Sequence, residues 1–411
     1  MNNVKNLMVI ALLLLSSVTG FTSCNDDDNV ELNYVDIGLV CTPPDNLEGV
    51  KMNKIIIQLT DKTTMQTRDI AFNDTIDSSV HFNVKKGLYD LSLTANITYQ
   101  TDGHEKTGQI CGTLQSIEVI QQKTTLDIST YLYEVQHNFV LAEIFFRGSL
   151  TPEGKSYSAD KYFRLYNNSS EALDAQGLAI AESEFSSTTK REYTPNIIDS
   201  DMAIGALYMI PRGTPIWVEP GGSLLLVDVA KDHTEANSNS FDEREADFEW
   251  YDDNPYYPDV DTETPNLVKL YCYTLSIWTP HSRGYKSYAL AQIPASVTPE
   301  NYVENYKYNY SYEFVNGDFH RTMNQESYRL PNSWIVDAVN LSVESEFQWI
   351  PIHPSLDKSY TYCGKINDSK TTYGMSVRRK TLPNNFLQDT NNSAIDFLPE
   401  QIADPYFKFH N

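Results

Sequence analysis

Short apolar runs separated by turn-forming residues dominate this chain from residue 34 onward. Val80, Phe82 and Val84 alternate with polar residues, and the turn Lys85–Gly87 leads into a second such run, Leu88–Ala95. A two-residue period places alternate side chains on one face of a sheet, whereas an amphipathic helix requires a period of about 3.6 residues. The pattern therefore predicts an all-β protein built from β-sandwiches.

The first 24 residues have the layout of a lipoprotein signal peptide. Lys5 supplies a positive charge, Leu7–Leu15 is apolar but too short to span a bilayer, and small residues precede Cys24. We expect Cys24 to be acylated and to become the first residue of the mature chain, because two or three acyl chains hold a protein on a membrane. An ordinary secretory signal with an incidental cysteine is the alternative.

The acidic run Asp26–Asp28 follows this cysteine directly. It resembles the export tag of Bacteroidetes lipoproteins, which implies an outer-membrane, lipid-anchored protein exposed at the cell surface. By its own chemistry the same run forms a solvated tether. Both roles are compatible with one segment.

Two further resemblances concern the fold. The segment Lys85–Leu93 resembles the last hairpin of transthyretin-like or carboxypeptidase-regulatory-like domains, in which glycine precedes an alternating strand. A second set resembles the lamin-tail domain, an immunoglobulin-like sandwich, at Glu143, Tyr166, Asn167, Leu173, Asp174, Gly177, Pro220, Gly221 and Leu224, and in the closing segments 332–339 and 374–393. Arg164 and Leu178 depart from the usual Glu and Trp of that family, so its surface chemistry is not carried over.

These resemblances divide the 411 residues into four parts. Residues 1–23 are the signal peptide, 24–32 the acidic tether, 33–133 a small N-terminal sandwich, and 138–405 a larger lamin-tail-like sandwich with insertions. As a whole the chain resembles an uncharacterised Bacteroidetes family of surface lipoproteins. That resemblance implies an accessory of a TonB-dependent transporter.

Four cysteines remain after lipidation of Cys24. An exported protein permits disulfides, and the pairs Cys41–Cys111 and Cys272–Cys363 each stay within one predicted domain. Buried free thiols are the alternative, since no CxxC spacing marks a zinc site.

The formal charge of −24, from 55 acidic and 31 basic residues, gives no basic patch for nucleic acid. Acidic residues are densest between Asp228 and Asp261. Carboxylates could bind calcium there, and a carboxylate beside a histidine could bind zinc or iron, so the candidate ligands are Asp228, Asp232, His233 and Glu235. The alternative is a solvated insertion anchored by its aromatic residues.

Aromatic residues form two candidate binding surfaces. In the acidic insertion, a ligand or partner could contact Trp250, Tyr251, Tyr256 and Tyr257. Tyrosines also alternate between Tyr306 and Tyr312, where one face of a strand could recognise sugar rings or a partner protein. A half-buried hairpin explains the second pattern equally well.

No GxSxG, HExxH or phosphate-binding glycine loop occurs in the chain, so we do not expect an enzyme. The leading hypothesis is a surface lipoprotein that captures a nutrient, such as a metal or metal-bearing cofactor, for a TonB-dependent transporter. A structural or adhesive module that binds proteins or glycans is the alternative.

The lipid anchor gives a first prediction. Cells grown with radiolabelled fatty acid should label the wild-type chain but not a Cys24→Ala variant, because the thiol is the acylated group. Protease added to intact cells should degrade the wild-type protein. Absence of label, or a chain untouched by protease, would contradict surface anchoring.

Overall fold

The computed structural model describes residues 34–44, 47–64, 66–76, 78–101, 104–120, 123–133, 138–274, 277–367, 370–383 and 386–409. The signal peptide, Cys24 and the acidic tether lie outside these ranges. The described chain is mostly β with several antiparallel sheets, which confirms the predicted fold class. No described helix has the length and apolar character needed to cross a membrane.

Eight strands make up the N-terminal part: β1 (Tyr34–Thr42), β2 (Glu48–Asp61), β3 (Thr67–Phe72), β4 (Ser79–Lys85), β5 (Gly87–Thr101), β6 (His104–Val119), β7 (Lys123–Ser129) and β8 (Tyr131–Tyr133). One sheet has the order β4-β1-β7 and the other the order β3-β2-β5-β6-β8. Val80, Phe82 and Val84 of β4 point into the core between the sheets, as their alternation predicts.

Strand β6 is longer than the sequence indicates. The apolar pattern marks only its end near Ile117, whereas the strand pairs with β5 from His104 onward. Glu105, Lys106 and Thr107 are exposed, so this half of the strand carries no apolar alternation. Apolar periodicity reports burial, and an exposed strand segment escapes it.

The larger part begins with β9 (Phe139–Phe145), β10 (Ser149–Leu150), β11 (Ser156–Tyr157), β12 (Tyr162–Asn167), β13 (Leu173–Asp174), β14 (Leu178–Ser183), β15 (Asp201–Met209), β16 (Trp217–Val218) and β17 (Ser223–Val227). It continues with β18 (Phe248–Glu249), β19 (Val268–Cys272), β20 (Ser287–Gln292), α1 (Pro299–Asn305), β21 (Lys307–Asn316), β22 (Phe319–Pro331), β23 (Ile335–Asn340), β24 (Met375–Arg379), α2 (Ser393–Asp396) and β25 (Phe397–Ile402).

Two large sheets enclose the main core of this part. The first has the order β18-β17-β12-β9-β24-β25, and the second has the order β21-β22-β15-β14-β20-β23 with β19 added beside β15. Aromatic rings fill the space between them: Trp278 stacks on Tyr208 with centroids 4.9 Å apart and on Phe163 at 5.9 Å. Every residue of β9 is buried, because Phe241 and Phe409 help to cover the outer face of its sheet.

A buried arginine connects the two sheets. Arg379 at the end of β24 donates from Nη2 to both carboxylate oxygens of Asp337 on β23, at 2.8 and 2.7 Å. Its Nε donates to the Leu141 carbonyl of β9 at 3.0 Å, and Nη1 approaches Asp389 at 3.2 Å. Asp337 also accepts the Leu141 N–H at 2.6 Å. Arg379 and Asp337 therefore each have several hydrogen-bond partners in the interior.

The two parts of the chain touch through an apolar contact. Cys111 of β6 packs against Leu382, which follows β24, and Phe386 packs on the same pair. The core of the small sandwich itself consists of residues between Val35 and Leu132.

The structure corrects the predicted disulfides, since Cys41, Cys111, Cys272 and Cys363 are free thiols. Cys41 lies on β1 inside the small core, whereas Cys111 lies on the opposite sheet and faces Leu382 of the other sandwich. Cys272 contacts Thr274 at 3.7 Å, and Cys363 is buried in the main core. Burial raises the pKa of the Cys41 thiol to about 11, which disfavours the reactive thiolate.

The Arg379 network yields a stability prediction. Arg379→Met should lower the free energy of unfolding by about 3–5 kcal/mol, because it leaves the Asp337 carboxylate buried without its cation. Arg244 forms an exposed ion pair with Asp242 at 2.5 Å, so Arg244→Met should lower the free energy of unfolding far less than Arg379→Met does. Urea unfolding of both variants measures the difference, and equal losses would refute the role of the buried pair.

Candidate functional site

The four predicted metal ligands do not converge. Asp232 caps a short 3-10 turn by accepting the Thr234 N–H at 3.0 Å, and Glu235 is exposed. His233 is buried, with Nδ1 2.7 Å from the Tyr157 hydroxyl and Nε2 2.9 Å from the Val229 carbonyl. Asp228 is buried separately at the end of β17. Within the described ranges, no group of three or more His, Cys, Asp or Glu side chains could hold a metal ion.

The carboxylates of the acidic insertion instead accept hydrogen bonds from backbone N–H groups and neighbouring side chains. Glu249 accepts the backbone N–H groups of Ala230 and Thr262 at 2.9 and 2.8 Å. Asp252 accepts the Trp278 N–H at 2.7 Å and the Tyr208 hydroxyl at 2.8 Å. These carboxylates replace missing backbone partners in irregular loops, and Asp252 also pairs with the Lys269 ammonium at 2.5 Å, so both carboxylates stabilise the insertion.

The carboxyl of Glu243, also in the insertion, accepts no such hydrogen bond from a described residue. Glu243 is fully buried, and its nearest basic group is His233, whose Nε2 lies 3.2 Å from Glu243 Oε2. Burial raises the pKa of Glu243 well above its usual range, and the nearby carboxyls of Asp160 and Asp228 raise it further. Burial also lowers the pKa of His233, which favours a neutral ring. Both shifts favour the uncharged forms, a protonated carboxyl beside an uncharged imidazole.

The predicted aromatic surface of the insertion is divided. Trp250 is buried in the main core against Phe163, with ring centroids 5.7 Å apart. Tyr251 is half-buried, whereas Tyr256 and Tyr257 are 85% and 60% exposed. The four side chains thus do not line one groove, and Trp250 anchors the insertion to the sandwich.

A different set of aromatic side chains forms a pocket of about 260 Å³, which we call the ring pocket. Its aromatic lining consists of Phe185, Tyr193 and Trp349, all half-buried. Phe185 and Tyr193 stack with centroids 3.7 Å apart and planes at 11°, and Trp349 lies 6.0 Å from Tyr193. Because Phe185 and Tyr193 cover each other's facing surfaces, a ligand in the pocket would contact their edges and outer faces together with the Trp349 ring.

Two loops position these rings. Phe185 and Tyr193 follow β14, and the loop pairs with the edge of β21 where the Thr194 N–H donates to the Ser311 carbonyl at 2.9 Å. The Trp349 indole donates to the Ser186 and Thr189 carbonyls at 2.9 and 3.1 Å. The ring pocket is therefore fixed by backbone contacts between segments distant in sequence.

The rim of the ring pocket is polar and carries charges of both signs. Lys190, Arg191 and Glu192 line it, and Lys190 and Glu192 are exposed. The Arg191 guanidinium lies 4.2 Å from the centroid of the Tyr312 ring, a cation–π contact that orients it. Asp201 is paired with Arg329 at 2.9 Å. Apolar ring faces surrounded by such polar groups suit a small cyclic ligand with hydroxyl or charged substituents.

The tyrosine alternation contributes the back of this pocket. Tyr308 and Tyr310 of β21 are buried, and Tyr310 packs edge-on against Phe185 at 5.2 Å. The tyrosine pattern thus predicted a strand that packs behind the ring pocket. Of its two interpretations, a recognition face or a half-buried hairpin, the structure shows the hairpin. Sequence patterns missed Phe185, Tyr193 and Trp349, because nothing in their spacing shows that the 184–200 and 341–351 loops meet.

The buried carboxyl of Glu243 generates a pH prediction. Above its ordinary pKa the unfolded chain loses this proton while the folded chain keeps it, so wild-type stability falls as pH rises. Glu243→Gln removes this pH-dependent contribution. The free energy of unfolding of the variant relative to wild type should therefore increase from pH 5 to pH 8, by up to about 1.4 kcal/mol per pH unit. Urea unfolding across that range measures the slope. The exposed Glu235→Gln is the matched control, and an equal change of slope there would contradict the assignment.

Among solved structures, the chain is similar to a DUF4876 family protein from Bacteroides thetaiotaomicron VPI-5482, whose crystal structure has 2.50 Å resolution. The match covers 90% of this chain and 96% of the other, at 19% sequence identity and a TM-score of 0.54. At this identity the likeness shows the fold alone. No curated protein matches the chain.

Residues 219–403 match the model of a family described as a protein of unknown function (DUF4876). This stretch contains the acidic insertion and Trp349, but not Phe185 or Tyr193. The predicted resemblance to a family without assigned function is confirmed to that extent, and the lamin-tail and transthyretin-like resemblances stay predictions. The chain is thus similar to the DUF4876 family over its C-terminal region.

Proposed function

We propose that this chain is an outer-membrane lipoprotein that binds a sugar-like ring at the cell surface and delivers it to a TonB-dependent transporter. The observation that carries the binding role is the ring pocket, where Phe185, Tyr193 and Trp349 converge under a polar rim. Lipidation at Cys24 and export by the acidic run support the location.

The size and chemistry of the pocket favour a sugar over a metal. Its volume of about 260 Å³ lies just below the roughly 300–1,000 Å³ of small-molecule pockets, so it suits one ring. A sugar ring has an apolar face that packs on aromatic rings and hydroxyls that reach polar groups around it. A metal ion would need several converging oxygen, nitrogen or sulfur ligands, which the predicted residues do not provide.

The transporter partnership is the least direct part of the proposal. It is supported by the predicted address at the outer membrane, where a captured nutrient needs a carrier to enter the cell. An acidic chain of net charge −24 is also suited to stay soluble above an anionic membrane.

The adhesive alternative is favoured by a different feature, the tip of the β21–β22 hairpin. Val315 and Phe319 beside the turn at Gly317 are each 55% exposed. Exposed apolar side chains at the end of a long hairpin suit a protein partner. This surface shares no residue with the ring pocket, so the two roles can be separated by mutation.

The ring pocket can be tested by titration calorimetry of the full-length protein, purified in detergent, with a panel of mono- and disaccharides. Tyr193→Leu keeps an apolar side chain but removes a stacked ring, and should weaken binding of the best sugar about 10- to 30-fold. Trp349→Phe, which retains a ring, should cost less.

Trp217→Leu provides the control, because Trp217 is 64% exposed and lies outside the pocket. Melting temperatures of all variants show whether each folds. Sugar binding that survives in Tyr193→Leu, or no binding by any sugar, would overturn the proposal. In the second case, loss of cell attachment by a Val315→Ser/Phe319→Ser variant would support the adhesive alternative.

A further inference from the structure

A second concavity lies between the two sandwiches and has a volume of about 710 Å³. We call it the interdomain cleft. Its floor is the outer face of the five-stranded sheet, and its opposite wall is formed by segments 380–383 and 407–409. It shares no lining residue with the ring pocket, so the two sites are independent.

The floor is an ordered array of small polar side chains. Strand pairing places Gln58 opposite Asp69 on one side and Ser92 on the other, and Ser92 opposite Thr113. Two residues after Gln58 on β2, Thr60 lies opposite Thr67 of β3 on one side and opposite Asp90 of β5 on the other. Because alternate residues share a face, these rows present hydroxyl, amide and carboxylate groups side by side toward the cleft.

The two floor carboxylates already have partners. Asp90 pairs with Lys62 at 3.1 Å and accepts the Ser116 N–H at 2.7 Å. Asp69 accepts a hydrogen bond from the Gln58 amide at 3.1 Å. Lys62 therefore offsets the charge of Asp90, whereas Asp69 keeps its negative charge on the floor.

The opposite wall carries cations without such partners. Lys380 and Lys408 line the cleft, and neither ammonium makes a hydrogen bond or ion pair to any residue in the ranges that the structure describes. Lys380 is half-buried beside Phe407 and Phe409 of the same wall, so its charge is partly removed from water. Burial lowers the pKa of Lys380, and the neighbouring Asp396 only partly opposes that effect. An ammonium in this position favours an incoming anion.

We infer that the interdomain cleft binds an acidic oligosaccharide, with sugar hydroxyls on the polar floor and a carboxylate at Lys380 and Lys408. Hydroxyl groups both donate and accept hydrogen bonds, as the Ser, Thr and Gln side chains of the floor require. The volume of the cleft accommodates several rings. An extended peptide fits less well, because only β3 at the margin of the floor is an edge strand, whereas the backbone groups of β2 and β5 already pair with strands on both sides within the sheet.

The test is titration calorimetry of the full-length protein with oligogalacturonate and with its methyl-esterified, neutral counterpart. The acidic oligomer should bind at least tenfold more tightly, and this preference should shrink as NaCl is raised. Lys380→Met should weaken oligogalacturonate binding about 10- to 100-fold, because it removes a charge-assisted hydrogen bond. Lys155→Met, which removes an exposed lysine far along the chain from the cleft, is the matched control.

Ser92→Ala and Thr113→Val remove floor hydroxyls while keeping the sheet residues similar in size, and the double variant should weaken both oligomers together. Equal affinity for the two oligomers, or undiminished binding by a folded Lys380→Met variant, would overturn the inference. Binding of an extended peptide instead of either sugar would do the same. Tyr193→Leu in the ring pocket should leave oligogalacturonate binding unchanged, so failure here is distinguishable from failure of the proposed function.

Discussion

The buried guanidinium of Arg379 determines how the parts of this protein meet. It links β9, β23 and β24 through Leu141 and Asp337, and so fixes the two sheets of the larger sandwich relative to each other. A buried cation tolerates little displacement, because each lost hydrogen bond leaves a charge without solvent or partner. The chain that continues directly from Arg379 carries Lys380 and Leu382, which form the cleft wall and the contact with Cys111. An interior ion pair thus positions a surface site.

Buried acidic residues likewise fix irregular parts of the chain through hydrogen bonds. In the insertion after β17, Glu249 and Asp252 accept backbone N–H groups of loops that have no strand partner. A long insertion can then pack on a sandwich with little secondary structure of its own, at the cost of burying carboxyls such as Glu243, where burial favours the neutral form. The high acidic content is partly a requirement of this irregular architecture. It is not simply surface charge.

Apolar alternation was enough to predict β4 and β5, because both strands border the core of the small sandwich. The density of acidic residues led to a metal site being predicted at Asp228, Asp232, His233 and Glu235, since spacing along the chain does not show whether a carboxylate meets a cation or an N–H group. Sequence patterns missed the ring pocket for a related reason. Phe185 and Trp349 are ordinary residues of two loops, and only the folded chain brings them within 6.2 Å of each other. Sequence patterns report what a strand buries, whereas sites assembled from loops depend on long-range contacts.

The two concavities differ in how they can respond to a ligand. Hydrogen bonds from Trp349 to the opposing loop hold the ring pocket in its binding shape, so little ordering is required when a small ring enters. The interdomain cleft lies beside the apolar contact of Cys111, Leu382 and Phe386. Among the described residues, no hydrogen bond joins the floor of the cleft to its opposite wall. This contact is small, and small interfaces between domains permit relative motion, so the width of the cleft can adjust to a longer chain. A rigid pocket for one ring and a separate, adjustable cleft for several rings are therefore suited to ligands of different length.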